Sequence, residues 1–254
     1  MYNYRLSHAR SGIYLSIINE LENSNQEVLI PDFICESIPN YLISHNIKIK
    51  FYKINYKLKI DWQDLKAKLN KNSKFLILVN YFGFPLDLNE SIEFSKKNNL
   101  ILIEDNTHGF NGSYQGKTLG TFGDYGVSSP RKHIQLNYGG ILYTRKKMIN
   151  YHLMNTEYKS TLTHKIKFHI SRKYLYLKLF FKKFFMSKIH TLSKEYENII
   201  KVSKLDNYSN KIIDNTDWIY LKKNKFQNYE KWRIFAKENN LNSLIDMDAK
   251  DLNP

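Results

Sequence analysis

Apolar residues recur along the first two thirds of the chain in two alternating rhythms. From Gly12 to Leu21 the apolar positions Ile13, Leu15, Ile17, Ile18 and Leu21 follow helical spacing. Glu27 to Pro31 (EVLIP) reads as a short strand closed by proline, Ser37 to His45 as a helix, and Ile47 to Ile54 alternates like a strand. Asp61 to Leu69 predicts a helix with Asp61 as its N-cap. Lys74 to Asn80 (KFLILVN) and Leu100 to Glu104 (LILIE) are continuous apolar runs bounded by polar residues, which predicts buried strands. A helix is expected over Leu88 to Asn98, and Asp124 to Ser128 and Gly140 to Thr144 complete the strand set.

Strand and helix in alternation predict an α/β domain with a mostly parallel sheet. In such sheets ligands sit beyond the carboxyl ends of the strands. Glu104 and Asp105 stand there after the LILI strand, and Asn80 after FLILV. From about Arg145 the character changes: the last glycine is Gly140, and a mostly helical remainder follows. This places a boundary near residues 148–160, with a domain over 1–150 and a helical region over 151–254. His164 to Ile189 is rich in Lys, Phe, Leu and Tyr at near-helical spacing, and a further helix is expected over Phe226 to Asn239.

Composition narrows the classes. At 254 residues and 42% apolar content the chain can bury a real core, which excludes wholesale disorder. The net charge of +15 invites a nucleic-acid or anionic-membrane partner. The lysines are scattered along the chain, so compositional drift is the favoured reading and no nucleic acid is expected. The basic aromatic stretch 164–189 is read as a helix packed on the body with a solvated lysine face. The single cysteine, Cys35, excludes an internal disulfide and a cysteine-based zinc site within one chain, and suits a reducing cytoplasm. No metal is expected. Met1 to Gly12 lacks the apolar core of a signal peptide, and no apolar run approaches the ~20 residues of a membrane span.

Three constellations carry candidate chemistry. The first is Ile103 to Gly109 (IEDNTHG). A carboxylate at the end of a buried strand is partly desolvated and stays ionised only with a cationic or hydrogen-bonding partner. A protonated pyridine nitrogen is one such partner, and His108 lies close enough to brace it. The plain alternative is an aspartate capping the next turn. The second is Gly123-Asp124, then Ser128 to His133 (SSPRKH), then Tyr138-Gly139-Gly140. Lys132 there is placed to form a Schiff base if burial or its neighbours Arg131 and His133 lower its pKa; the alternative is a solvated basic turn. The third is Ala9 to Gly12 (ARSG), opening the first helix. Free N–H groups and the Arg10 fork suit phosphate, whereas the alternative is an ordinary helix start capped by Ser11.

In their common order these segments resemble the DegT/DnrJ/EryC1/StrS family of pyridoxal-phosphate (PLP) aminotransferases, which act mostly on nucleotide-linked keto-sugars. The resemblance runs from Arg10 to Thr144 through ARSG, VLIPDF (28–33), VNYFGFPLDL (79–88), IEDNTHGFNGSYQGKTLGTFGD (103–124) and SPRKHIQLNYGGILYT (129–144). It implies an aspartate-aminotransferase-like large domain, with a mostly parallel sheet of the seven-stranded type and helices on both faces. It implies that Lys132 holds PLP and shuttles the proton, that Asp105 pairs with the pyridine nitrogen, and that His108 lies beside the cofactor. Arg10, Ser11 and Ser128 fall at the phosphate cradle. The substrates implied are a keto-sugar nucleotide and an amino donor, glutamate first, in a homodimer serving surface-polysaccharide synthesis.

The chain also departs from the family pattern. The segment between Gly123-Asp124 and Lys132 is two residues short, which leaves Ser128 and Ser129 as rivals. Cys35 stands where an aromatic ring usually covers the cofactor, with Phe33 nearby. Some relatives carry histidine in place of the lysine and dehydrate their substrate; Lys132 favours transamination. NYEKW (228–232) resembles the start of the family's C-terminal domain, so much of that domain is expected to be missing. The rival function is a catalytically inactive, truncated relative acting as a binding or regulatory partner.

Overall fold

The computed structural model describes residues 1–148, 151, 202–241, 249, 252 and 253. A seven-stranded sheet forms its centre, in the order β1 (Tyr2–Leu6), β9 (Gly140–Thr144), β8 (Tyr125–Ser128), β5 (Ile101–Asn106), β4 (Ser73–Val79), β2 (Glu27–Pro31), β3 (Lys48–Tyr52). The pairs from β3 to β8 are parallel, whereas β9 runs antiparallel to β8 and β1 antiparallel to β9. The α/β expectation holds. β6 (Ser113–Tyr114) and β7 (Lys117–Thr118) form a separate small hairpin.

The side-chain period of a strand sorts the apolar runs onto two faces. Phe75, Ile77 and Val79 of β4 join Ile103 in a core with Ile13 and Ile17 of α1 (Ala9–Glu20) and Ile38 and Leu42 of α2 (Ser37–Ser44). Leu76 and Leu78 join Leu102 on the other face, with Leu65 of α3 (Trp62–Lys68) and Leu88 of α4 (Leu88–Lys97). Each such side chain contributes roughly 1.5–3 kcal/mol by leaving water. The predicted cap at Asp61 is formed: its Oδ1 accepts from the backbone N–H of Gln63 (3.1 Å) and Asp64 (3.0 Å).

Three boundaries differ from expectation. β5 extends to Asn106, so Asp105 lies within the strand and not after it. β1 was not foreseen; it is an edge strand whose outer residues face solvent, so it lacks a buried apolar run. The C-terminal helix begins well before Phe226, as α6 (Trp218–Glu238), preceded by α5 (Asn207–Asp214). Asp206 and Asp217 cap these two helices at the backbone N–H of Ser209 (3.0 Å) and Tyr220 (2.9 Å).

The segment before α5 runs beside β1, with Ser7 N–H donating to Ser203 O (2.9 Å) and Leu205 N–H to Arg5 O (3.1 Å). Arg5 pairs with Asp214 at 2.6 Å. The expected boundary near 148–160 and the aromatic stretch 164–189 lie outside the described residues. Among the described residues no helix is long and apolar enough to cross a membrane.

Candidate active site

Strand parity separates the two acids of Ile103-Glu104-Asp105. Asp105 shares the face of Ile103, towards α1, whereas Glu104 shares that of Leu102. Glu104 is fully buried: its Oε1 accepts from Gly120 N–H (2.7 Å) and Asn80 Nδ2 (2.8 Å), and its Oε2 from Phe122 N–H (2.8 Å). Burial raises its pKa against the pull of these donors. Its work is to fasten the loop over Gly120 to Phe122 onto the sheet. Asp105 is 2% exposed, and its Oδ1 accepts from Thr107 N–H at 3.0 Å.

Asp105 lines a cavity of about 370 Å³ together with Arg10, His108, Ser129, Arg131 and Lys132. Three cations and one carboxylate therefore converge on one space. Lys132 enters from a 3₁₀ turn (Pro130–Lys132) just past β8. Burial lowers its pKa below the lysine range and the Arg131 guanidinium adds to this, against the opposing pull of Asp105 and Cys35. His133 does not share in this, contrary to expectation. Its ring turns away, with Nε2 accepting from Phe110 N–H (3.2 Å) and Nδ1 lying 2.6 Å from Lys225 Nζ of α6. Burial and the charge of Lys225 hold its pKa at about 3, so it carries no charge near neutral pH.

The first turn of α1 forms another wall through His8, Ala9 and Arg10. Residue His8, at the N-cap, makes no side-chain cap bond, so Ser11 is not the cap. The Gly139-Gly140 pair explains how this turn reaches the sheet. A Cβ at Gly140 would lie 2.4 Å from Ala9 N, so only glycine lets the helix start settle on β9. Arg10 is 7% exposed, its guanidinium 5.8 Å from the Tyr41 ring centre. His8 is held at a pKa of about 3 by burial and by the charges of Arg10 and Arg131.

Aromatic side chains close the remaining side. Tyr81 donates its hydroxyl to Phe33 O (2.7 Å), and their rings lie 5.5 Å apart. Phe82 adopts a left-handed φ of 53° and stacks on His108 at 5.9 Å, while its backbone N–H donates to His108 Nδ1 (3.3 Å). Burial, then the charge of Lys132, lowers the pKa of His108.

Four of the six expected site residues, Arg10, Asp105, His108 and Lys132, thus share the cavity. Ser11 and Ser128 do not line it. Ser128 is fully buried on the strand, where Asn106 Nδ2 reaches its Oγ at 3.4 Å. Ser129 lines the cavity instead and donates its hydroxyl to Gly139 O (2.9 Å). His8, Tyr81 and Thr107 line the cavity without having been singled out; Tyr81 lies in the NYFGFP segment, whose motif was its one sequence signal. Among the described residues no group of three His, Cys, Asp or Glu side chains is placed to hold a metal.

Residues 6–169 match the model of the DegT/DnrJ/EryC1/StrS aminotransferase family. The chain belongs to this family. It is 34% identical over 94 residues to GDP-perosamine synthase of Escherichia coli O157:H7, covering 35% of this chain and 26% of that enzyme. It is 28% identical over 147 residues to UDP-4-amino-4,6-dideoxy-N-acetyl-beta-L-altrosamine transaminase of Campylobacter jejuni, covering 56% of this chain and 39% of that one. A crystal structure of GDP-4-keto-6-deoxymannose-3-dehydratase with a trapped PLP–glutamate geminal diamine matches with a TM-score of 0.52 and 26% identity, over 60% of this chain and 42% of the other. The chain therefore spans well under half the length of these relatives.

Proposed function

We propose that the chain carries the cofactor half of a PLP-dependent aminotransferase acting on a nucleotide-linked keto-sugar in polysaccharide biosynthesis, with glutamate as amino donor. The observation that carries this reading is the convergence of Lys132 and buried Asp105 on one cavity beside an uncapped helix start. The donor set suits PLP group by group. Lys132 offers an amine whose depressed pKa leaves more of it unprotonated near neutral pH, as carbonyl attachment requires. Asp105 offers a fixed carboxylate for a protonated ring nitrogen. The α1 N-terminus, Arg10, Arg131 and Ser129 offer N–H groups, charge and a hydroxyl for a phosphate.

When bound, PLP supplies an electron sink for the substrate carbon. The chain's own residues do the rest. Lys132 holds the cofactor through Nζ and, when released, carries the proton at that atom. Asp105, braced by Thr107 N–H, keeps the ring-nitrogen proton in place. Uncharged His108, backed by Phe82, presents a flat face beside Asp105 and Lys132 without adding a competing cation. Family resemblance and the relatives' names support the substrate class, a homodimeric site and a cytoplasmic setting.

The test is a visible absorption spectrum after adding PLP, followed by borohydride reduction and peptide mapping. A yellow band, lost in Lys132→Ala and trapped on the Lys132 peptide, is the expected result. A folded protein with no band points to the second reading, a non-catalytic binding or regulatory relative. The one observation favouring that reading is the short span of the relatives that the chain covers.

A further inference from the structure

Beside the cavity that holds Lys132 lies a second one, of about 420 Å³, lined by Asp32, Phe33, Ile54, Asn55, Tyr56 and Leu58. Phe33 lines both. The two cavities therefore adjoin across a single side chain. Both also open on the same edge of the sheet. The second lies beyond the carboxyl ends of parallel strands β2 and β3, the first beyond those of β2, β4 and β5. A ligand centred at Lys132 and longer than the first cavity has this direction in which to extend.

The second cavity is built from rigid parts. Asp32 Oδ1 accepts from Ile54 N–H (2.9 Å) and Asp32 N–H donates to Tyr52 O (2.8 Å), which ties the ends of β2 and β3 together. The turn beyond β3 is closed by Asn55 N–H to Lys59 O (2.8 Å), while Asn55 Oδ1 accepts from Lys57 N–H (2.9 Å) and Lys59 N–H (3.2 Å). Leu58 holds a left-handed φ of 61° within it. On this frame stand two large aromatic side chains in contact with water: Tyr56 is 79% exposed and Phe33 is 55% exposed. Exposed rings on a stiff frame are suited to stacking a planar base. Residues 53–59 carry Lys53, Lys57 and Lys59 and no acid, and Lys57 Nζ lies 5.7 Å from the Tyr56 ring centre. That charge suits a diphosphate. The Asp32 carboxylate at the cavity wall suits the vicinal hydroxyls of a ribose.

We infer that Phe33 and Tyr56 form the subsite for the nucleoside diphosphate end of the substrate, with the sugar in the cavity at Lys132. The inference rests on the substrate class proposed above, but its test does not depend on the cofactor. GDP, UDP and pyrophosphate are titrated calorimetrically into the full 254-residue chain and into Tyr56→Ala and Tyr56→Phe, while PLP uptake is followed separately by absorbance. Because Tyr56 stands outside the core, its loss leaves the fold intact. At least one nucleotide is expected to bind ten times more tightly than pyrophosphate, to lose about tenfold in Tyr56→Ala and to recover in Tyr56→Phe. Three results overturn the subsite: no nucleotide binding, equal binding by pyrophosphate, or equal affinity in Tyr56→Ala. If nucleotide binds through Tyr56 and no PLP is taken up, the subsite stands and the reading of Lys132 falls.

Discussion

Asp105 and Glu104 are adjacent carboxylates with opposite duties, and substitutions should separate them. Glu104→Ala leaves two backbone N–H donors and Asn80 without their acceptor inside the protein. It is expected to cost about 3 kcal/mol in urea unfolding, with Glu104→Gln costing less. Asp105→Ala removes a group that faces the cavity and accepts one local bond. It should cost little stability and instead weaken PLP retention, read from the absorbance remaining after dialysis. Equal stability losses from the two alanine variants would contradict this division. Both acids are visible in the sequence. Their division of labour is visible only as strand parity, and only once β5 is known to run on to Asn106.

At the scale of elements, the site depends on two dockings. The first is α1 against β9. Gly140→Ala would drive a Cβ to 2.4 Å from Ala9 N and 2.5 Å from His8 C, both backbone atoms that cannot swing aside. A loss of about 1–3 kcal/mol is expected, together with weaker binding of inorganic phosphate at the helix start. The second is α6 against the turn after Lys132. Lys225 Nζ stands 2.6 Å from His133 Nδ1, and Trp218 packs edge-on to Phe110 at 4.7 Å. Lys225→Met removes a repelling charge, so the pKa of His133 should rise from about 3. The carbon-bound imidazole protons, followed by NMR, report this directly. An unmoved titration would mean that burial alone sets it.

For the whole molecule, His8 and His133 link folding to pH. Both have pKa values of about 3 in the fold, against 6.5 for a free imidazole. Between those values the unfolded chain binds protons that the folded chain refuses. Stability therefore rises with pH across that window and falls on acidification, by up to about 1.4 kcal/mol per pH unit for each histidine. Glu104, with its raised pKa, works in the opposite sense just above 4.5 and offsets a part. Urea midpoints at pH 7.5 and pH 5 should differ clearly in the wild-type chain and much less in a His8→Gln/His133→Gln variant.

The periodicities of 3.6 and 2, the buried runs KFLILVN and LILIE and the order of ARSG, IEDNTHG and SPRKH were sufficient for the α/β class and for Lys132, Asp105, His108 and Arg10. Each of these signals is local: burial of a continuous apolar run, or a reactive group just past one, needs few neighbours to be read. Ser129 displacing Ser128, the turning away of His133 and the seating of α1 on Gly140 are different in kind. A side chain's face depends on strand length and register, and one residue reverses it. A backbone contact such as Gly140 with Ala9 joins segments about 130 residues apart. Pairing β9 between β8 and β1 decides that contact, so tertiary structure alone could show it.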